Sequence, residues 1–185
     1  MPKPPEILAK REVDNSRFLH VEEIDLAFSN GAQRTFERLT ARGMGAVFIV
    51  PMRDHDTVLL VREYGAGVDR YELGVPKGRI DFGEGVLDAA NRELKEEVGF
   101  GARKLTPLSV LSLSPAYMTH KAAVVLAEDL YPERLPGDEP EPLDVVPWKL
   151  SELHRLLARD DVSEGRSIAA LFIAREYMQG RFQPA

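Results

Sequence analysis

The chain has 185 residues, 44% of them hydrophobic and 29% charged, with a formal net charge of −6. Those values suit one well-buried globular domain with at most a small appendage. The absence of cysteine excludes disulfides and thiolate metal sites. The acidic balance argues against a general nucleic-acid binder, which carries a basic stripe. It does not argue against phosphate substrates, because a divalent cation inverts the local sign of a carboxylate-rich site. The opening Met-Pro-Lys-Pro-Pro-Glu leads into no apolar core of signal-peptide length, and no apolar run approaches membrane-spanning length. A cytoplasmic protein with no membrane partner and no stable nucleic-acid partner is therefore expected.

Residues 1–16 begin Pro-rich and stay mostly polar, which reads as an irregular or extended lead-in. In residues 21–28, Ile24, Leu26 and Phe28 alternate with Glu23, Asp25 and Ala27, and a second run covers 32–39. The Ser29-Asn30-Gly31 turn between them predicts an antiparallel hairpin, since Asn and Gly tolerate positive φ. The apolar runs 45–51 and 57–61, separated by Arg53-Asp54-His55-Asp56, read as central strands joined by a tight turn. Six glycines in residues 64–85 mark a shaped loop with short strand pieces.

A helix follows, with Val86, Leu87, Ala90, Leu94 and Val98 forming an apolar stripe and Gly99 in the position that helix ends prefer. Strands are expected through 108–113, 122–126 and 145–148, with an acidic, Pro-rich loop over 131–143. Two helices, 151–158 and 163–178, close the chain, with Ser151 and Ser163 as candidate N-caps. The sum is a mixed α/β fold, divided into an N-terminal hairpin subdomain (1–40) and a main domain (41–185).

The stripe's opposite face carries Glu93 and Glu97, four apart and so stacked on one side, with Glu96 on the flank. Like charges so placed cost about 0.2–0.5 kcal/mol per exposed pair, and an acidic run is ordinarily a solvated surface. The spacing upstream distinguishes this one. Gly78 is followed by five residues and Glu84, then by seven residues and Arg92-Glu93-Leu94-x-Glu96-Glu97-x-Gly99-Phe100.

This pattern resembles the Nudix box and matches all seven of its fixed positions. The odds against chance are roughly a billion to one per starting position at average residue frequencies. Phe100 is the one departure, aromatic where the box prefers an aliphatic residue. The resemblance implies a Nudix α-β-α sandwich and hydrolysis of a phosphoanhydride. That chemistry needs charge on two phosphates neutralised and hydroxide generated near neutral pH, which hard Mg²⁺ or Mn²⁺ ions on oxygen ligands provide. It also implies Glu93 and Glu97 as main metal ligands, Glu96 assisting and the carbonyl of Lys77 contributing. Glu84 and Arg92 would hold the loop against the helix.

Pro115, fifteen positions after the last box residue, looks like the marker of the ADP-ribose pyrophosphatase subgroup. The Val61-Arg62-Glu63-Tyr64, Tyr71-Glu72-Leu73-Gly74 and Gly137-Asp138-Glu139-Pro140-Glu141-Pro142 segments occur in that subgroup's order. Residues 17 to 180 look most like the bacterial ADP compounds hydrolases, with which Lys77 agrees. That likeness implies small ADP-linked nucleotide diphosphates as substrates (ADP-ribose, NADH, diadenosine polyphosphates), with AMP released. Other nucleotide sugars, NAD-capped RNA and a non-catalytic nucleotide sensor are the alternatives.

By the same likeness, Glu139 and Glu141 belong to a loop that closes on substrate, Glu139 as general base and Glu141 as a further metal contact. Their alternative is a plain acidic surface loop. Arg62 and Arg38 are candidates for gripping phosphates or the terminal ribose, or else solvated charges. Glu72 and Pro115 join them as substrate-side candidates. Phe18 would stack on adenine across a homodimer interface, or pack within the hairpin. Relatives exchange the N-terminal hairpin, which is too small to be stable alone.

Overall fold

The computed structural model describes residues 4–15, 20–40 and 43–184. Contacts divide the chain into two compact units, Met1–Gly45 with Ser112–Lys121, and Ala46–Leu111 with Ala122–Ala185.

The first unit is a three-stranded antiparallel sheet in the order β1 (Glu6–Asn15), β2 (His20–Ala27), β3 (Gln33–Thr40). The expected hairpin is β2–β3, turned by Gly31 at φ 83° and by Asn30, whose Oδ1 accepts from the Ala32 N–H at 3.0 Å. The lead-in is more regular than its sequence suggests, since ten residues of it form a strand, eight of them paired with β2. Register shifts between Ile7 and Ala9 and between Glu12 and Asp14 explain why no clean alternation is visible, because each bulge resets which face a side chain takes. The segment Ser112–Lys121 lies along β3, where the Leu39 N–H donates to the Tyr117 carbonyl (2.7 Å) and the Thr119 N–H to Leu39 (3.0 Å).

The second unit is a layered α/β body. One sheet runs β10 (Asp144–Lys149), β5 (Thr57–Gly65), β6 (Arg70–Gly74), all antiparallel. The other runs β7 (Lys77–Arg79), β4 (Ala46–Pro51), β9 (Lys121–Pro132), β8 (Phe100–Ser112), with β4 and β9 parallel. The apolar runs of β4 and β5 are thus central, but they sit in different sheets. Every residue of β4 is buried, which is why it reads as a continuous apolar run. Its Phe48 and Val50 enter one core with Leu60, Leu126, Leu153 and Leu171. Val47 and Ile49 enter a second core with Leu59, Val61, Leu94 and Val98.

Three helices flank the sheets: α1 (Val86–Glu93), continued as a π-turn Leu94–Val98, then α2 (Leu153–Leu156) and α3 (Gly165–Met178). Ala89, Ala90, Leu94 and Val98 are buried, but Val86 and Leu87 are exposed, so the apolar stripe is narrower than the spacing predicts. Neither expected serine cap is used. Glu164 caps α3 by accepting from the Ser167 N–H at 2.6 Å, and Ser151 instead binds Asp56.

Candidate active site

The site is built on one close contact. β7 pairs with β4 through Val47 and Gly78, which fixes the Gly78 backbone beneath the end of α1. A Cβ at Gly78 would fall 1.9–2.2 Å from the carboxylate atoms of Glu93, so only glycine leaves room for that carboxylate. Arg92 holds the arrangement from the other side. Its guanidinium donates to both oxygens of Glu84 (2.9 and 3.0 Å), to Glu93 (2.8 Å), to Glu96 (3.0 Å) and to the Arg79 carbonyl (2.9 Å). Glu84 in turn accepts from the Asp81 N–H at 3.1 Å. Loop and helix are therefore tied by charge-assisted hydrogen bonds.

Glu93 is 7% exposed and Glu97 only 4%, so this is not a solvated acidic face. Burial pushes the Glu97 carboxyl up from 4.5 to about 8, with Glu63 and Glu93 adding repulsion; Lys77 counters through its charge and its N–H, which donates to Glu97 at 3.1 Å. Burial also raises Glu93, helped by Glu96 and Glu139 and opposed by Arg92. The Lys77 side chain pairs with Glu63. These groups line a cleft of about 420 Å³ that also takes in Asp81, Asp138 and Glu139.

Among the described residues no three acidic or histidine side chains are already grouped closely enough to hold an ion, since Glu93 and Glu96 turn toward Arg92. The donor set nonetheless fits a hard divalent cation. It is all oxygen, and its two most buried carboxylates carry a desolvation and repulsion cost that a cation relieves.

The acidic loop is anchored at both ends. Beyond β9, the Glu133 N–H donates to Gly99 (3.1 Å), the Leu135 N–H to Lys95 (3.2 Å), and the Arg134 guanidinium to the Glu96 carbonyl (3.3 Å). These bonds satisfy carbonyls that a helix end leaves open. Lys95 and Glu133 add an ion pair at 2.9 Å. At the far end, the Tyr71 hydroxyl donates to Glu141. Between the anchors, Glu139 bends back so that a Cβ at Gly137 would meet its Oε2 at 2.3 Å and the Glu96 Cβ at 3.7 Å. The structure thus brings Glu139 to the box carboxylates and holds Glu141 at Tyr71.

The other candidates are placed as follows. Arg62 pairs with Asp161 at 2.6 Å. Glu72 accepts from the Ser163 N–H and hydroxyl, both at 2.8 Å, and from Arg70 at 2.6 Å. Arg38, in the first unit, pairs with Glu22. Pro115 sits in a turn in which Tyr117 and Met118 donate to the Ser114 carbonyl. Phe18 lies outside the described residues. Sequence reasoning gave no role to Glu63, Tyr71 or Arg134, although all three lie within segments it singled out.

Residues 43–172 match the NUDIX domain family model, and the chain belongs to the Nudix family of hydrolases, which generally use divalent metal ions. Residues 5–38 match the model described as NudE-type Nudix hydrolase N-terminal domain. The chain is 51% identical over 177 residues to "ADP compounds hydrolase NudE" of Escherichia coli (strain K12), covering 96% of this chain and 95% of that protein. It is 26% identical over 174 residues to "ADP-ribose pyrophosphatase" of Bacillus subtilis (strain 168), covering 93% and 91%. A solved structure titled "Crystal structure of ADP compounds hydrolase" superposes with a TM-score of 0.88 at 50% identity, covering 98% of this chain and 97% of that one. No helix among the described residues is long and apolar enough to cross a membrane.

Two outcomes follow from the contact and the burial. Gly78→Ala displaces the Glu93 carboxylate, so hydrolysis should fall on the order of 100-fold while circular dichroism stays native; unchanged activity would refute the assigned contact. For pH, a carboxyl raised above its unfolded value keeps a proton that the unfolded chain gives up, so metal-free stability drops as pH rises from 4.5 to about 8. A divalent cation bound at Glu97 would hold it ionised and remove that loss. Melting temperatures in EDTA and in a divalent metal should therefore diverge steadily between pH 5 and pH 8, and a gap independent of pH would count against the assignment.

Proposed function

We infer that the protein is a Mg²⁺-dependent hydrolase of the pyrophosphate bond in ADP-linked compounds such as ADP-ribose, NADH and diadenosine polyphosphates, releasing AMP. The observation that carries this reading is the burial of Glu93 and Glu97 against Gly78, beside relatives whose names specify ADP compounds and ADP-ribose. Mn²⁺ suits the same oxygen set.

Glu93 and Glu97 would hold the metal, with Glu96 and the Lys77 carbonyl completing the set. When bound, the ion neutralises phosphate charge and makes bound water acidic enough to yield hydroxide near neutral pH. Arg92 keeps Glu84, Glu93 and Glu96 from drifting apart. Glu139, held over Gly137 beside Glu96, accepts the proton of the attacking water. Attack forms one phosphorus–oxygen bond and breaks the anhydride, whose leaving oxygen departs as the phosphate of AMP or of the other product. Glu141, tied to Tyr71, sets the reach of the loop and stands as a further metal contact once released. Arg62, Glu72, Arg38 and the Pro115 turn remain proposed substrate contacts, the two arginines after exchanging their present carboxylate partners for phosphate.

The same reading includes a homodimer through the N-terminal sheet. Support comes from Ile7, Leu8, Val13 and Phe36, which the first unit leaves exposed, and from the small size of that sheet. Sedimentation velocity should give about twice the 20.7 kDa chain mass; a monomer at micromolar concentration would rule the dimer out.

The activity itself is tested by incubating the protein with Mg²⁺ and ADP-ribose, NADH or a diadenosine polyphosphate and identifying products by chromatography. AMP is expected from each. Glu97→Gln should lower the rate by about two to three orders of magnitude, the scale of losing one charge-stabilising group. Absence of AMP from every compound would sink the substrate assignment, and full activity in Glu97→Gln would sink the site.

A further inference from the structure

Three basic side chains, Lys77, Arg79 and Arg92, line the carboxylate cleft, and the acidic ones outnumber them. A diphosphate entering it adds further negative charge. Which cation can meet that charge depends on how the donors of each are already committed.

Arg92 has none to offer. A guanidinium carries five N–H donors, and Arg92 makes five hydrogen bonds: two to Glu84 and one each to Glu93, Glu96 and the Arg79 carbonyl. Lys77 is ion-paired with Glu63. Arg79 differs from both. Its backbone is fixed twice over, by pairing with Ala46 on β4 and by its carbonyl, which accepts from Arg92 at 2.9 Å. The residue itself is exposed, and its side chain makes no hydrogen bond or ion pair among the described residues.

The result is a fixed backbone carrying an uncommitted guanidinium. An exposed ion pair contributes only about 0–1 kcal/mol, so little draws Arg79 onto a neighbouring carboxylate while the cleft is empty. A phosphate group is a better partner, because two of its oxygens match the planar fork of a guanidinium. Arg62 would first have to give up Asp161, which it holds at 2.6 Å; Arg79 gives up nothing.

We propose that Arg79 is a catalytic residue that grips the diphosphate by its non-bridging oxygens. The water oxygen bonds to one phosphorus while its proton passes to Glu139. The anhydride bond to the other phosphate breaks and leaves its electron pair on the departing oxygen. Arg79 offsets the negative charge gained there by hydrogen bonding, without transferring a proton. The proposal rests on the pyrophosphatase reading above and adds to it a residue in direct contact with the reacting groups.

Arg79→Ala removes an exposed side chain and keeps both backbone bonds, so circular dichroism should stay native. With Mg²⁺ and ADP-ribose, kcat/KM should fall on the order of 100-fold, the scale of losing one charge-stabilising donor. Arg79→Lys keeps the charge but not the fork and should recover part of that loss. Millimolar guanidinium chloride should restore part of the rate to Arg79→Ala and leave the wild type unchanged, a response that a purely structural role would not give. Mn²⁺ affinity, read by electron paramagnetic resonance, should not change. Wild-type kcat/KM in Arg79→Ala, or a loss matched by an equal loss of Mn²⁺ affinity, overturns the proposal.

A binding measurement separates this claim from the choice of substrate. Methylenediphosphonate has no nucleoside and a bridge that water cannot cleave. In calorimetric titration with Mg²⁺, Arg79→Ala should bind it about tenfold more weakly than the wild type, as expected for a lost hydrogen bond to a charged group. Equal affinities overturn the proposal whatever the substrate. Weaker binding by the variant, from a wild-type protein that releases no AMP from any ADP-linked compound, upholds the Arg79 contact and fails the functional reading instead.

Discussion

The contact between the Glu93 carboxylate and the bare Cα of Gly78 is the constraint on which the rest of this site depends. It requires β7 to pair with β4 in one register, so that Gly78 and not a neighbour faces the helix. It also requires α1 to sit at one height on the sheet, which Ala89, Ala90 and Leu94 fix by packing into the second core. A change of a single methyl group at residue 78 is enough to break it. Glycine is needed here for lack of volume; its backbone freedom is not at issue, for its φ lies outside the left-handed region.

Burying two carboxylates in this way runs against stability, because each loses hydration and each repels the other. Arg92 offsets part of that cost, but not for Glu97, which receives one backbone N–H and the more distant charge of Lys77. The two apolar cores on either side of β4 and β5 supply the stability that the acidic corner gives up. A site left electrostatically unsatisfied by the protein alone is suited to a divalent cation, since the cation supplies what the fold withholds.

The box was legible in the sequence because its spacing is a record of contacts within one loop and one helix. Gly78 meets Glu93, and Arg92 meets both Glu84 and Glu93, and a short segment can encode that chain of contacts by position alone. The β2–β3 hairpin was legible for the same reason, through Asn30 and Gly31. What could not be read were contacts between segments far apart in the chain. Tyr71 meets Glu141 seventy residues on, and Arg134 meets Glu96 thirty-eight residues back; neither separation carries a periodic signal. β1 escaped because its bulges break the alternation. The N-caps were misplaced by one residue or by a competing partner, as when Asp56 takes Ser151.

The π-turn Leu94–Val98 was not foreseeable either, and it bears on the chemistry. In an α-helix each residue advances 100°, so four residues overshoot a full turn and would set Glu97 some way around from Glu93. A wider turn advances less per residue, which brings Glu97 back toward the azimuth of Glu93 and Gly78, and π-turns of this kind are frequent at functional sites. The same stretch ends with the carbonyls of Lys95, Glu96 and Gly99 accepting from Leu135, Arg134 and Glu133. The element that carries Glu96 and Glu97 therefore also holds the root of the loop carrying Glu139. The box glutamates and the root of the Glu139 loop are held by one piece of backbone, so a shift in either is transmitted to the other.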